Sequence, residues 1–127
     1  MGDASTDPDG YGPSEIISRL CRCIESGVYG LDYTILPREE NEEFFEKYLI
    51  NEQDRIDIIK KLSVDNYDGW DYSDNPKHPK DIVHFFHYRT MLIPRGEEDA
   101  EQQSVRLYIK ITWTKPGAVL VVISFHD

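Results

Sequence analysis

The chain predicts an α+β domain in which N-terminal helices pack on one face of a small antiparallel C-terminal β-sheet. Three observations carry that expectation. Helical periodicity fills the first half and stops near Ser63; β-branched and aromatic runs fill the second half from Ile82 onward; and those runs follow one another as in a meander. With 127 residues, 39% of them hydrophobic and 12% aromatic, one core is expected, burying about two thirds of the unfolded surface.

Residues 1–13 open with Asp, Gly, Ser and Pro and offer little to bury, which predicts a disordered tail ahead of a single domain over 14–127. Ser14 reads as an N-cap. Behind it "EIISRLCRCIES" sets Ile16, Ile17, Leu20 and Ile24 on one stripe, and Gly27 stops the helix. "VYGLDYTILP" is closely bounded by Gly30 and Pro37 and reads as an extended connector. "REENEEFFEKYLI" forms a second helix whose acidic first turn suits the positive end of the helix dipole. Asn51 caps a third, "EQDRIDIIKKLS", with Ile56, Ile59 and Leu62 on one face.

In "DNYDGWDYSDNPKHPKD" periodicity disappears, and Gly69, Pro76 and Pro79 mark a long loop carrying Tyr67, Trp70 and Tyr72. Strands are expected over Ile82–Ile93, Ser104–Trp113 and Val119–His126. "PRGEEDAEQQ" and "TKPGA" would form the turns between them.

The formal net charge of −10 argues against a general nucleic-acid-binding surface, which needs concentrated Lys and Arg. Its distribution is uneven. Residues 1–75 carry seven Lys or Arg against 18 Asp or Glu, a net of −11, whereas residues 76–127 carry seven against six, a net of +1, and hold all four histidines. No apolar run approaches the roughly 18 residues of a membrane span, and the start lacks the basic and apolar regions of a secretory signal, so a cytoplasmic protein is expected. Cys21 and Cys23, two apart on a helix, diverge and suit neither a disulfide nor a metal site. Nucleotide-binding glycine loops, zincin motifs and the serine-hydrolase elbow are all missing from the sequence.

Strand parity then groups side chains. Leu107, Ile109 and Ile111 point toward the helices while Arg106, Tyr108 and Lys110 point away. If Val121, Ile123 and Phe125 join the core, Ser124 and His126 stand beside Tyr108 and Lys110. The strand from Ile82 has two apolar or aromatic faces, so either His84, Phe86 and Tyr88 or His87 and Arg89 share the open side. Both choices complete a cluster of histidine, tyrosine, Lys and Arg. Such a cluster suits RNA cleavage: a base takes the 2′-hydroxyl proton, cations hold the charge on phosphorus, and an acid protonates the leaving 5′-oxygen. On a strand His84 and His87 point oppositely and do not share a metal.

"LSVDNYDG", "DIVHFFHY", "LYIKITW" and "VLVVISFHD", in that order, resemble toxins of the MqsR type from toxin–antitoxin systems, over about residues 50–127. The resemblance implies a RelE-like fold, a cytoplasmic metal-independent endoribonuclease that cleaves mRNA without a cofactor, and neutralisation by a cognate antitoxin. It places Tyr108 at the family's middle-strand tyrosine, His126 at the basic position after Ser-Phe, and His84 at the polar position of the first strand, facing outward. His84, Tyr108 and His126 are then the expected catalytic groups, with Arg106, Lys110, Arg89 and His87 around the substrate. Where the family has a lysine after an aromatic–Tyr pair, this chain has Asp68, removing a phosphate-binding charge. The acidic first half and Asp68 together motivate a second expectation, a non-catalytic acidic binding protein that engages a basic or nucleic-acid-binding partner.

Overall fold

The computed structural model describes residues 6–97, 99, 101–114 and 119–127. Helix α1 spans Pro13–Ser26, strand β1 Tyr33–Ile35, α2 Glu39–Lys47, α3 Glu52–Lys61, β2 Tyr67–Tyr72, β3 Ile82–Leu92, β4 Gln103–Trp113 and β5 Leu120–His126, with one 3₁₀ turn at Val64–Asn66. The protein is α+β. Among the described residues five strands run in the order β1-β5-β4-β3-β2, and the sheet is mixed because β1 pairs with β5 in parallel. The expected antiparallel sheet is thus corrected by β1, which the connector supplies in parallel to β5, and extended by an antiparallel β2 from the first part of the expected long loop.

The helices form where apolar stripes and end signals coincide. In α1, Ile16, Leu20 and Ile24 are buried; Pro13 occupies the first turn, and the Glu15 carboxylate accepts from Gly12 N at 3.3 Å, so the cap is Gly12, two residues before the expected Ser14. Asn51 does cap α3: its Oδ1 accepts from Asp54 N at 2.8 Å, and Asp54 returns the bond to Asn51 N at 3.0 Å. The Arg95 guanidinium donates to the Phe45 and Tyr48 carbonyls at 2.9 and 3.2 Å, tying the β3–β4 connection to the end of α2.

Residues 6–12 depart from the expected tail. Asp7 is buried, its Oδ1 accepts from the Asp9 and Tyr11 amides at 3.0 and 2.8 Å, and the Thr6 carbonyl accepts from Trp70 Nε1 at 2.8 Å. A short turn around one carboxylate therefore docks this segment on β2. Residues 1–5 and the expected turn at 115–118 lie outside the described residues.

Leu107, Ile109 and Ile111 of β4 face the helices as parity predicts, and among the described residues no helix covers the opposite face of the sheet. In β5, however, Leu120, Val122 and Phe125 are the core residues, not Val121 and Ile123. Ile111 pairs with Val122 and Lys110 with Ser124, leaving Ile123 as an inserted residue that reverses the parity of the strand midway. Before the bulge Leu120 and Val122 point inward; after it Phe125 does, with His126 outward.

Asn41 of α2, only 1% exposed, supports this bulge. Its Nδ2 donates to the Ile123 and Leu36 carbonyls at 3.0 and 2.9 Å, and its Oδ1 accepts from Phe125 N at 2.8 Å. The side-chain amide satisfies backbone groups that the bulge removes from the ladder. Asn41→Ala would leave three backbone partners, one buried and two half-buried, without their bond to Asn41 and is expected to cost about 2–3 kcal/mol, read as a lower midpoint in urea unfolding with unchanged slope. Stability within 0.5 kcal/mol of the parent would exclude this role.

Candidate functional site

The uncovered face of the sheet gathers most of the expected site residues, and the cross-strand register fixes their order. His87 pairs with Tyr108, and Tyr108 with His126, so the three lie in one row across β3, β4 and β5. Each strand spacing is about 4.8 Å, which puts the outer two backbones roughly 10 Å apart with the tyrosine between them. Tyr108 is 50% exposed, while His87 and His126 are half-buried. Arg89 pairs with Arg106, and Lys110 with Phe85 and Ser124, so all three cations border the row.

The expected outward orientation of His84 is corrected. His84 pairs with Ile111 on the helix side, is 2% exposed, and lies under the sheet from Tyr108 and His126. Its Nδ1 sits 2.9 Å from the Tyr67 hydroxyl, its Nε2 3.8 Å from Asp7 Oδ2, and its ring meets Trp113 edge to face. Burial lowers its pKa to about 4, with Arg19 acting in the same direction and Asp7 and Asp9 opposing. The neutral ring accepts from Tyr67 O–H and directs Nε2–H toward Asp7. Burial together with Asp7 holds the Tyr67 phenol well above its ordinary range, so that hydroxyl keeps its proton. His84 is therefore a core histidine, and β3 presents His87 and Arg89 to the open face.

Asp68 acquires a different role from the one its charge suggested. Tyr67 pairs with Phe86 and Gly69 with Phe85, so Asp68 is the inserted residue of a second bulge; Gly69 adopts φ +119°, a region that favours glycine. The bulge turns the Asp68 carboxylate onto the open face, where Oδ1 accepts from His87 Nδ1 at 2.7 Å. On the other flank, His126 Nδ1 donates to the backbone oxygen of Asp127 at 3.0 Å, and the Asp127 carboxylate accepts from Lys47 Nζ at 2.7 Å. In both histidines Nδ1 is engaged, which leaves Nε2 as the group that can exchange a proton.

The cations are disposed for anions. Arg106 lies over the Tyr108 ring at 5.6 Å, Lys110 over Phe85 at 5.8 Å, and Arg89 Nη1 donates to Ser104 Oγ at 3.0 Å. Among the described residues no carboxylate forms an ion pair with any of the three. Arg38, which sequence reasoning did not single out, reaches the same face and donates to Ser124 Oγ at 3.2 Å. Tyr67 and Trp70 are tied to His84 and Thr6, whereas Tyr72 is exposed, stacked edge to face with Trp70.

Among the described residues, no group of three or more His, Cys, Asp or Glu is placed to hold a metal ion, and no helix is long and apolar enough to cross a membrane. Both cysteines are free thiols, Cys21 directed at the Lys60 carbonyl and Cys23 at that of Asp32. Compared with protein-family models, curated protein sequences and solved structures, the chain finds no match in any of the three.

Proposed function

We propose that this protein is a metal-independent endoribonuclease, a RelE-like toxin of the MqsR type that cleaves mRNA in the cytoplasm and is neutralised by a cognate antitoxin covering the open face. The observation that carries the reading is the row His87–Tyr108–His126, with His87 held by Asp68 and, on either side, cations that among the described residues form no ion pair. Cleavage needs no cofactor in this scheme. His126 Nε2 takes the proton of a 2′-hydroxyl, whose oxygen attacks phosphorus. The P–O5′ bond breaks, and His87 Nε2–H gives its proton to O5′, leaving a 2′,3′-cyclic phosphate and a free 5′-hydroxyl. Asp68 keeps His87 in the required orientation and offsets the charge of its protonated ring, as a carboxylate does in a catalytic triad. Tyr108 donates to a phosphoryl oxygen, and Arg106, Lys110 and Arg89 stabilise the negative charge that develops there.

The test is cleavage of single-stranded RNA by purified protein in EDTA. Expected are 2′,3′-cyclic phosphate ends and a loss of about 100-fold or more for His126→Ala with an unchanged unfolding midpoint. An undiminished rate in the variant would remove His126 from the mechanism. The second reading, an acidic protein that binds a basic or nucleic-acid-binding partner, draws on α2, whose Glu39, Glu40, Glu42, Glu43 and Glu46 are all exposed. Intact RNA after prolonged incubation, with cells growing normally at high expression, would favour it.

A further inference from the structure

A cavity of about 550 Å³ adjoins the row His87–Tyr108–His126 on the same open face, and of its lining the proposed cleavage mechanism uses only Lys110. Its floor is the outward side of the sheet beyond Lys110: Val83 of β3, Thr112 of β4, and Val121 and Ile123 of β5. One wall is the loop between β2 and β3, which closes on itself where Ser73 N donates to the Asp81 carbonyl at 2.8 Å and His78 N to the Asn75 carbonyl at 3.0 Å. Arg38 stands at the opposite wall. Ile123 is the residue inserted by the β5 bulge, so the irregularity that turns His126 outward also shapes this cavity.

Three properties define what fits. The volume lies within the range of small-molecule sites, roughly 300–1,000 Å³. The floor is mainly apolar, the Thr112 hydroxyl being turned to the Ile82 carbonyl at 2.7 Å, and the walls carry hydrogen-bonding groups, Ser73, Asn75 and Asp81 among them, a combination suited to a flat ring with a polar edge. Two cations line it, Arg38, which also lies 3.9 Å from Glu40, and Lys110, along with the carboxylates of Asp74 and Asp81 in the loop wall; Lys110 lies two residues along β4 from Tyr108. A molecule with its anionic end at Lys110 and its ring over Val121 and Ile123 would thus begin beside the catalytic row and extend away from it.

We infer that this cavity is a nucleotide subsite, taking the base adjacent to the scissile phosphate while Arg38 and Lys110 hold the phosphate at its mouth. The assignment rests on the ribonuclease reading for its place in a longer RNA, but binding of a single nucleotide does not require cleavage. In this arrangement the cavity makes the enzyme sensitive to the base at one position. Asp81, an acceptor in the wall, contributes to that choice by favouring bases that present N–H donors.

The experiment is titration of the full chain with the four ribonucleoside 3′-monophosphates, inorganic phosphate and ribose 5-phosphate, followed by amide chemical shifts and calorimetry. At least one nucleotide is expected to bind tenfold or more tighter than either baseless anion. Its shifts should centre on Ser73, Val83, Val121 and Ile123, whereas phosphate alone should move only Lys110, Arg38 and their neighbours. Val121→Phe, which fills the floor, should abolish the difference between nucleotide and phosphate, with Val121→Leu reducing it if the larger residue impairs folding. Nucleotides that bind no tighter than phosphate, or whose shifts map elsewhere, would overturn the subsite. Cleavage is read separately: nucleotide binding without RNA cleavage removes the catalytic proposal and keeps the cavity, and cleavage without nucleotide binding does the reverse.

Discussion

Replacing His87 with alanine is expected to lower RNA cleavage about 10²–10⁴-fold and leave the unfolding midpoint unchanged, while His84→Phe should do the opposite. The contrast follows from the two faces of one strand. His87 is half-buried beside Tyr108, and its loss removes the proposed proton donor from the open face without disturbing the core. His84 lies inside, bonded to Tyr67 and near Asp7, so its replacement leaves polar partners unpaired and costs about 2–4 kcal/mol, with cleavage per folded molecule unaltered. A His84 variant that folds and has lost activity, beside a fully active His87 variant, would reverse the assignment. The same site offers a sharper discrimination at Asp68. If that residue had merely displaced a phosphate-binding lysine, Asp68→Lys should raise cleavage; because its carboxylate orients His87 at 2.7 Å, Asp68→Lys and Asp68→Asn are both expected to lower it at least about tenfold.

These two positions also mark where sequence patterns lose their hold. The three α-helices described and the face of β4 follow from periodicity, because one side of each element is plainly apolar. On β3 both sides are apolar or aromatic, and the orientation is settled by tertiary partners. Phe86 enters the core, and Tyr67 supplies the hydroxyl that lets His84 follow it. Period two has no means of signalling an inserted residue, so the bulges at Asp68 and Ile123 were invisible, although each sets one end of the row His87–Tyr108–His126. β1 was too short to distinguish from a connector, and β2 was obscured by Gly69 and its aspartates, residues that strands usually avoid. His126 was legible for a partly wrong reason: it faces outward because a bulge restores the parity that Leu120 and Val122 would otherwise deny it.

The buried His84 should also make folding stability depend on pH in a defined window. Its folded pKa is near 4 and its ordinary value 6.5, with burial the main cause of the difference. Between those values the unfolded chain takes up a proton that the folded chain excludes, so stability is complete above pH 6.5, falls as the pH drops toward 4, and changes no further from this group below that. The span corresponds to about 3 kcal/mol, since each pH unit is worth about 1.4 kcal/mol. A proton on Nδ1 would also end acceptance from Tyr67 O–H, whose oxygen would have to reverse its role inside the core. Acidic side chains elsewhere contribute their own pH dependence, so the quantity to measure is the difference between parent and His84→Phe in urea unfolding from pH 7.5 to pH 4. The parent is expected to lose about 3 kcal/mol more than the variant over that range, whatever the variant's stability at neutral pH. Parallel curves would mean that His84 takes up its proton inside the fold as readily as outside it. The Asp7 carboxylate would then be the dominant influence on the ring, and the segment at residues 6–12 would act as an ionic latch over β3 instead of a neutral hydrogen-bonded cover.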